Sequence, residues 1–276
     1  MQLDASQPYP RISVITIVLN GAATIERTIQ SVLSQPYSNF EYIIIDGGST
    51  DGTIDILKRF NSQIDLWVSK KDTGISDAFN RGIRLSAGEW IGFINADDWY
   101  SDNAFAEVGE NNSNCDIFYG LVQYWDGDKK REIFDADHTY LQREMTINHP
   151  ACFFKRSIFN EIGNFNQEYK LAMDYEFLLR CLNHSLIFKK YNSVLANMSY
   201  GGVSDNSYHS YREVRRAKLE SGMSPMNTHL YYYFQLLRKG LRNLLYYLKL
   251  SIIVDAYRKY FAIIKKNRVV NKQEER

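Results

Sequence analysis

Cysteine is scarce in this chain. Cys115, Cys152 and Cys181 are odd in number and lack metal-ligand spacing, which excludes a disulfide framework and fits free, buried thiols in a reducing compartment. Charge of one sign is also lacking. With 33 Lys and Arg against 32 Asp and Glu, the net charge of +1 excludes a whole-protein electrostatic affinity for nucleic acid. The aromatic-rich stretch from Tyr231 to Ile264 holds no run of 18 apolar residues uninterrupted by charge, so it does not span a membrane. Met1 to Pro10 lacks a basic segment followed by an apolar one, and the expected location is the cytoplasm. There is no internal repeat, no low-complexity segment, no GxGxxG dinucleotide loop and no GK[ST] phosphate loop. What remains is a composition of 45% apolar and 24% charged residues, sufficient for a sizeable core.

The order of elements predicts an α/β fold. Ile12 to Leu19 and Phe40 to Ile45 are β-branched runs, and between them Ile25, Ile29, Val32 and Leu33 recur at helical spacing, which makes a βαβ unit. The alternation continues with helices over 53–60 and 75–87 and strands over 65–69 and 89–94. Successive strands thus deliver polar, mostly acidic residues at their carboxyl ends, where open α/β sheets bind ligands. Beyond Trp99 we expect strands over 116–124, 130–134 and 149–155 and a helix over 174–182. Helices are then expected over 208–221 and 231–264, with a break at Ser224-Pro225.

Two constellations carry chemistry. Asp46-Gly47-Gly48-Ser49-Thr50-Asp51-Gly52-Thr53 is a strand end running through a glycine-rich turn into a helix. It reads either as a ligand-approaching loop or as turn chemistry with Asp51 as a helix cap. Asp97 and Asp98 are adjacent carboxylates at a strand end. They repel one another unless a cation or strong donors answer them, and Mg²⁺ or Mn²⁺ shared with a diphosphate would balance both; the alternative is a solvated Asp-Asp turn.

Between Arg11 and Tyr100 the chain resembles the family 2 glycosyltransferases of the GT-A fold. The residues that carry the resemblance are Ser13-Val14-Ile15-Thr16 with Asn20, Ser31-Val32-Leu33-Ser34-Gln35, Asp46 to Thr53, Asp72-Thr73-Gly74-Ile75-Ser76-Asp77-Ala78-Phe79-Asn80-Arg81-Gly82, and Ala87 to Asp98. The resemblance is strong over about the first 100 residues, moderate over 148–182 and slight over the last 70. It implies a Rossmann-like mixed sheet flanked by helices over 1–207, with a helical, basic C-terminal extension over 208–276. It also implies inverting transfer of a sugar from a nucleotide-diphosphate-sugar donor to a saccharide or lipid-linked acceptor, as in bacterial surface polysaccharide or lipopolysaccharide biosynthesis.

By the same resemblance, Asp46 would lie against the nucleobase or ribose, Asp72 and Asn95 would belong to the donor site, and Asp97 and Asp98 would be its metal and ribose carboxylates. Two positions depart from the family pattern. Gly47 stands where a second Asp is frequent, and Asn95 where the first Asp of a DxD element is usual. Inversion needs a carboxylate that takes the acceptor proton. Met173-Asp174-Tyr175-Glu176 resembles the family's acidic helix start, which implies Asp174 as that base with Glu176 as its rival. His149 and Trp99 are the expected acceptor-side residues, the first by its likeness to an acceptor-side His, the second as a ring able to stack on sugar.

From Arg238 onward Arg238, Lys239, Arg242, Lys249, Arg258, Lys259, Lys265, Lys266 and Arg268 face few acids. A basic amphipathic helix of this kind lies on an anionic leaflet, the inner face of the cell membrane, or packs within the protein or across a dimer. Two rival functions stay open. A nucleotidyltransferase shares the sheet and metal logic, although Asn20 to Thr24 lacks a basic phosphate loop. An inactive scaffold of a polysaccharide-synthesis complex would account for Asn95 and Gly47.

Overall fold

The β-branched run after Arg11 forms β1 (Ile12–Val18), buried along almost its whole length, because Val and Ile pack well on a pleated surface covered from both sides. The computed structural model describes residues 11–200, 208–248, 250 and 268–269. In it β1 is the middle of a mixed sheet. β2 (Phe40–Asp46) and β3 (Leu66–Ser69) follow in parallel on one side, and β4 (Trp90–Asn95) pairs in parallel on the other. The connections are α1 (Ile25–Leu33), α2 (Thr53–Arg59) and α3 (Ile75–Leu85). α3 approaches the sheet so closely that a Cβ on Gly82 would come 2.4 Å from Ile15 Cγ2, so this motif glycine serves packing.

The second half turns antiparallel. After β5 (Trp99–Tyr100) and α4 (Ala104–Asn111) come β6 (Ile117–Asp126), β7 (Lys129–Phe134) and β8 (Cys152–Lys155), then α5 (Arg156–Glu161), α6 (Met173–Asn183) and β9 (Phe188–Ser199). β8 inserts antiparallel between β4 and β6, and β9 runs parallel to β6 before reaching β5. The strand expected over 149–155 is shorter. His149–Ala151 is a 3₁₀ turn, consistent with Pro150 having no N–H for a sheet ladder. The three cysteines are free and buried.

Beyond the sheet, α7 (Tyr208–Glu220) packs on α6 and on α8 (Pro225–Tyr247). The expected break is real: Gly222 turns at φ +82° and Pro225 opens α8, where its missing N–H costs no helix bond. The rest of the helix expected to 264 lies outside the described residues. A β10 (Arg268–Val269) pairs antiparallel with β7.

The amino end of the sheet is closed by a buried polar lock. Glu41 accepts from Arg11 (2.9 Å), Ser13 and the amides of Ala87 and Gly88. A Cβ on Gly88 would meet the Ser13 nitrogen at 2.7 Å and the Arg11 carbonyl at 2.9 Å. Part of the Ala87–Trp90 motif is therefore structural.

Candidate active site

The site is assembled at the opposite, carboxyl end of β1. Val18 pairs with Asp46 on one side and Ile17 with Asn95 on the other, so the two polar residues flank β1 at nearly the same level. Asp46 is fully buried. Its carboxylate accepts from the amides of Gly48 (2.9 Å) and Ser49 (3.0 Å), from the Ser49 hydroxyl, and from the Ser69 hydroxyl at 2.6 Å. Asp46 thus shapes the turn through Gly48, at φ +94°. Any influence on a base or ribose passes through that turn. Asp51 stands one residue before the helix cap Gly52, accepting from Thr53 and from the Ala22 amide, and so ties the β1 and β2 loops together.

Asp72 lies over the turn at Gly47. A Cβ on Gly47 would come 2.6 Å from Asp72 Oδ2, so the absent side chain is what admits the carboxylate. Its loop is held from α3: Arg81 donates to the carbonyls of Lys70 (3.0 Å) and Lys71 (3.1 Å) and pairs with Asp77 at 2.6 Å. Asn80 exchanges two hydrogen bonds with the Phe165 backbone, and Ser76 donates to the Tyr169 carbonyl. The 72–82 motif is therefore largely a brace that presents Asp72.

The acidic turn at 95–98 is suspended from α1. The Thr28 hydroxyl lies 3.0 Å from the Ala96 carbonyl and 2.7 Å from that of Asp98, and Arg27 donates to the Asp97 carbonyl at 2.9 Å. Asp98 is only 2% exposed. Burial and the neighbouring Asp97 push its carboxyl well above the usual range, against hydrogen bonds from the Ser199 backbone and from Asn95. Burial also draws Arg27 below its ordinary value, while Asp98 and Asp97 pull it back up. Trp99 lies beneath Arg27, whose guanidinium carbon is 3.6 Å from the ring centroid, and its ring also meets Trp125 at 5.4 Å. Arg27, Thr28 and Ser199 were not legible as site residues, since their partners are 70 or more residues away.

Among the described residues, no three His, Cys, Asp or Glu side chains converge to hold a metal ion. Asp97 and Asp98 can supply two hard oxygen ligands, and a cation there would need the rest from a bound diphosphate and water. A buried carboxylate answered only by an amide and a backbone N–H fits that role, because a cation would offset its burial.

Across the cleft stand His149 and α6. The Asn95 amide nitrogen is 3.3 Å from His149 Nε2 and 3.5 Å from Asp98 Oδ2. His149 Nδ1 in turn faces Asp174 Oδ2 at 3.4 Å. An amide donor toward Nε2 leaves the proton of neutral His149 on Nδ1, toward Asp174. Asp174 Oδ1 accepts from the Tyr175 amide at 2.7 Å. Glu176 is different: 8% exposed and paired with Arg180 at 2.7 and 3.0 Å, while Arg180 also donates to the carbonyls of Ile162 and Asn164. The rival carboxylate is therefore occupied in holding the loop before α6.

One further residue comes from α7. Ala172, at the N-cap of α6, has no side-chain oxygen, and Glu213 supplies it. Glu213 accepts from the amides of Lys170 (3.0 Å), Leu171 (2.8 Å) and Ala172 (2.8 Å), placing a carboxylate at the positive end of α6. Nothing in its own segment signals this, because the contact spans more than 40 residues.

Comparison with known proteins agrees with this geometry. A family model described as Glycosyl transferase family 2 matches residues 13–174. The chain is 33% identical over 212 residues to a PGL/p-HBAD biosynthesis glycosyltransferase of Mycobacterium tuberculosis (strain ATCC 25177 / H37Ra), covering 71% of this chain and 80% of the relative. An uncharacterized glycosyltransferase of Rickettsia typhi is 25% identical over 217 residues, with 72% and 67% covered. Among solved structures, S. aureus TarS 1–349 in complex with UDP-GlcNAc superposes with a TM-score of 0.62 at 16% identity, over 80% of this chain and 70% of that one. The chain spans 41% of a longer S. aureus TarS structure. The mannosyltransferase PcManGT from Pyrobaculum calidifontis, in complex with GDP-Man and Mn²⁺, gives 0.61 at 15% identity, over 94% and 86%. The chain is therefore a glycosyltransferase that belongs to family 2, built on the mixed α/β sheet of the GT-A fold.

Proposed function

We propose that the chain transfers one sugar, with inversion, from a nucleotide-diphosphate-sugar donor to a saccharide or lipid-linked saccharide acceptor. The observation that carries this is the linkage of Asp98, Asn95, His149 and Asp174 across one cleft, joining a pair of acidic donor-side ligands to a carboxylate held at a helix start. On the donor side, the turn shaped by Asp46, the Asp72 carboxylate over Gly47, and Asp97 with Asp98 receive the nucleotide and diphosphate. A divalent ion, Mn²⁺ or Mg²⁺, held by Asp97 and Asp98 would supply Lewis-acid stabilisation of the leaving diphosphate. Asp174 Oδ2 takes the proton of the acceptor hydroxyl, and no covalent intermediate forms. His149 Nδ1–H orients that oxygen, and Trp99 keeps Arg27 over the acidic turn. The complexes with UDP-GlcNAc and with GDP-Man and Mn²⁺ among the structural neighbours are consistent with such a donor. The mycobacterial relatives' role in PGL/p-HBAD biosynthesis favours an acceptor of the bacterial envelope.

The two departures from the family pattern have local reasons, which weakens the scaffold reading. Gly47 admits Asp72, and Asn95 avoids a third negative charge beside Asp97 and Asp98 while donating to His149. The deciding experiment is thermal melting with UDP, GDP, dTDP or CDP, each with and without Mn²⁺. At about a hundred times its dissociation constant, the correct nucleotide should stabilise the fold by about 2.7 kcal/mol. One nucleotide is expected to raise Tm only with metal. No shift with any of the four, and no turnover of the matching nucleotide sugars, would leave the scaffold.

Glu213→Ala tests the brace on α6. With three amides unanswered the base shifts, and kcat should fall by about tenfold to a hundredfold, the cost of a small misplacement of a catalytic group. The nucleotide-induced melting shift should stay, since the donor side lies on β1 to β4. A variant that loses both together would show that Glu213 acts on overall folding instead.

A further inference from the structure

α8 is turned inside out. Its polar residues Thr228, Gln235 and Lys239 are 3–6% exposed against the protein, whereas Met226, Leu230, Phe234, Leu237, Leu241 and Leu244 are 50–76% exposed. Spacings of four, four, three, four and three residues place these six on one stripe along a helix about 34 Å long. The seam with α7 is made of cations on rings: Lys239 Nζ lies 4.1 Å from the Tyr208 centroid, Lys218 Nζ 3.7 Å from that of Tyr231, and the Arg215 guanidinium carbon 4.8 Å from that of Tyr232. The inward face is thus satisfied without its leucines, and the outward face is a continuous apolar surface of a kind that marks an interaction site.

Charge selects the occupant. The 23 residues of α8 contain no Asp or Glu, but carry Arg238, Lys239 and Arg242. Two copies joined along this stripe would bring like charges together with no acid on either helix to answer them. An anionic bilayer surface answers both features, receiving the apolar stripe at the headgroup boundary and the basic side chains at the phosphates. Arg238, about 100° round the helix from Leu237, is placed on the flank where a long side chain reaches the headgroups. Among the described residues no helix is long and apolar enough to cross a membrane, so the contact is with the surface.

We infer that the outward stripe of α8 docks the protein on an anionic lipid membrane, lying in the plane of the interface. The inference is independent of the catalytic reading, and its test uses no sugar donor. Vesicles of phosphatidylcholine alone, and others with about one-third phosphatidylglycerol, are floated with the full chain and with Leu230→Glu/Leu237→Glu. Both altered positions are exposed, and unchanged melting of the variant verifies its fold. Wild type should bind the anionic vesicles at least about tenfold more than the neutral ones, the variant should lose about tenfold, and about 0.5 M salt should weaken binding. Equal flotation of wild type and variant would overturn the inference. So would wild-type dimers in sedimentation that the variant disperses, with no vesicle binding, because the stripe would then be a contact between copies.

Discussion

Asp174→Asn is expected to lower kcat by about 10³- to 10⁴-fold, near the upper range for general-base catalysis, with little change in donor binding. The amide is isosteric and keeps an oxygen to accept from the Tyr175 amide, so the start of α6 should hold its shape. What disappears is a basic oxygen facing His149 at 3.4 Å. Glu176→Gln provides the contrast. Breaking its buried pair with Arg180 removes a partner from a side chain that also holds the Ile162 and Asn164 carbonyls, which costs about 3–5 kcal/mol of stability. Steady-state kinetics and thermal melting on both variants separate the roles: Asp174→Asn should fold normally and fail in transfer, Glu176→Gln should melt early. A normally melting but inactive Glu176→Gln beside an active Asp174→Asn would reverse the assignment.

The difference between these two acids could not be read from their sequence positions, and the same limit explains most of what was missed. The β-branched runs and helical spacings from Ile12 to Asn95 located β1 to β4 and α1 to α3 within a few residues, because buried parallel strands leave an almost uninterrupted apolar signal. β9 left none. Lys189, Lys190, Asn192 and Ser193 interrupt its alternation, its pairing with β6 carries two register shifts, and so the strand that brings Ser199 to Asp98 went unread. The short α4 and α5 likewise lacked enough turns to show a period. Motif resemblance marked Asp72 to Gly82 as one unit, but only the structure divides it into a presented Asp72 and a brace of Asn80, Arg81 and Gly82. On α8 the amphipathic period was plain while its direction was not, because aromatic rings on α7 accept the basic residues that would ordinarily face solvent.

Asp98→Asn should stabilise the metal-free protein and disable it together. The folded-state carboxyl is raised above its unfolded value, mainly by burial and then by Asp97. Stability from the protonated form is therefore complete below the ordinary carboxylate range and is lost as pH rises toward the folded value. An ionised Asp98 is thus a cost in the wild type near neutrality, and every tenfold increase in its proton affinity corresponds to about 1.4 kcal/mol. The amide does not titrate. Melting curves should coincide near pH 4 and separate as pH rises, with the variant higher by about 2–4 °C for each kcal/mol. Mn²⁺ with the correct nucleotide should then raise the wild type alone and close the gap, while kcat/KM of Asp98→Asn falls by about 10²- to 10³-fold. This is a trade of stability for function, in which the buried charge is tolerated because the ligand-bound state uses it. A variant less stable than wild type throughout, yet still stabilised by metal and nucleotide, would make Asp98 a structural acid and leave the cation to Asp97.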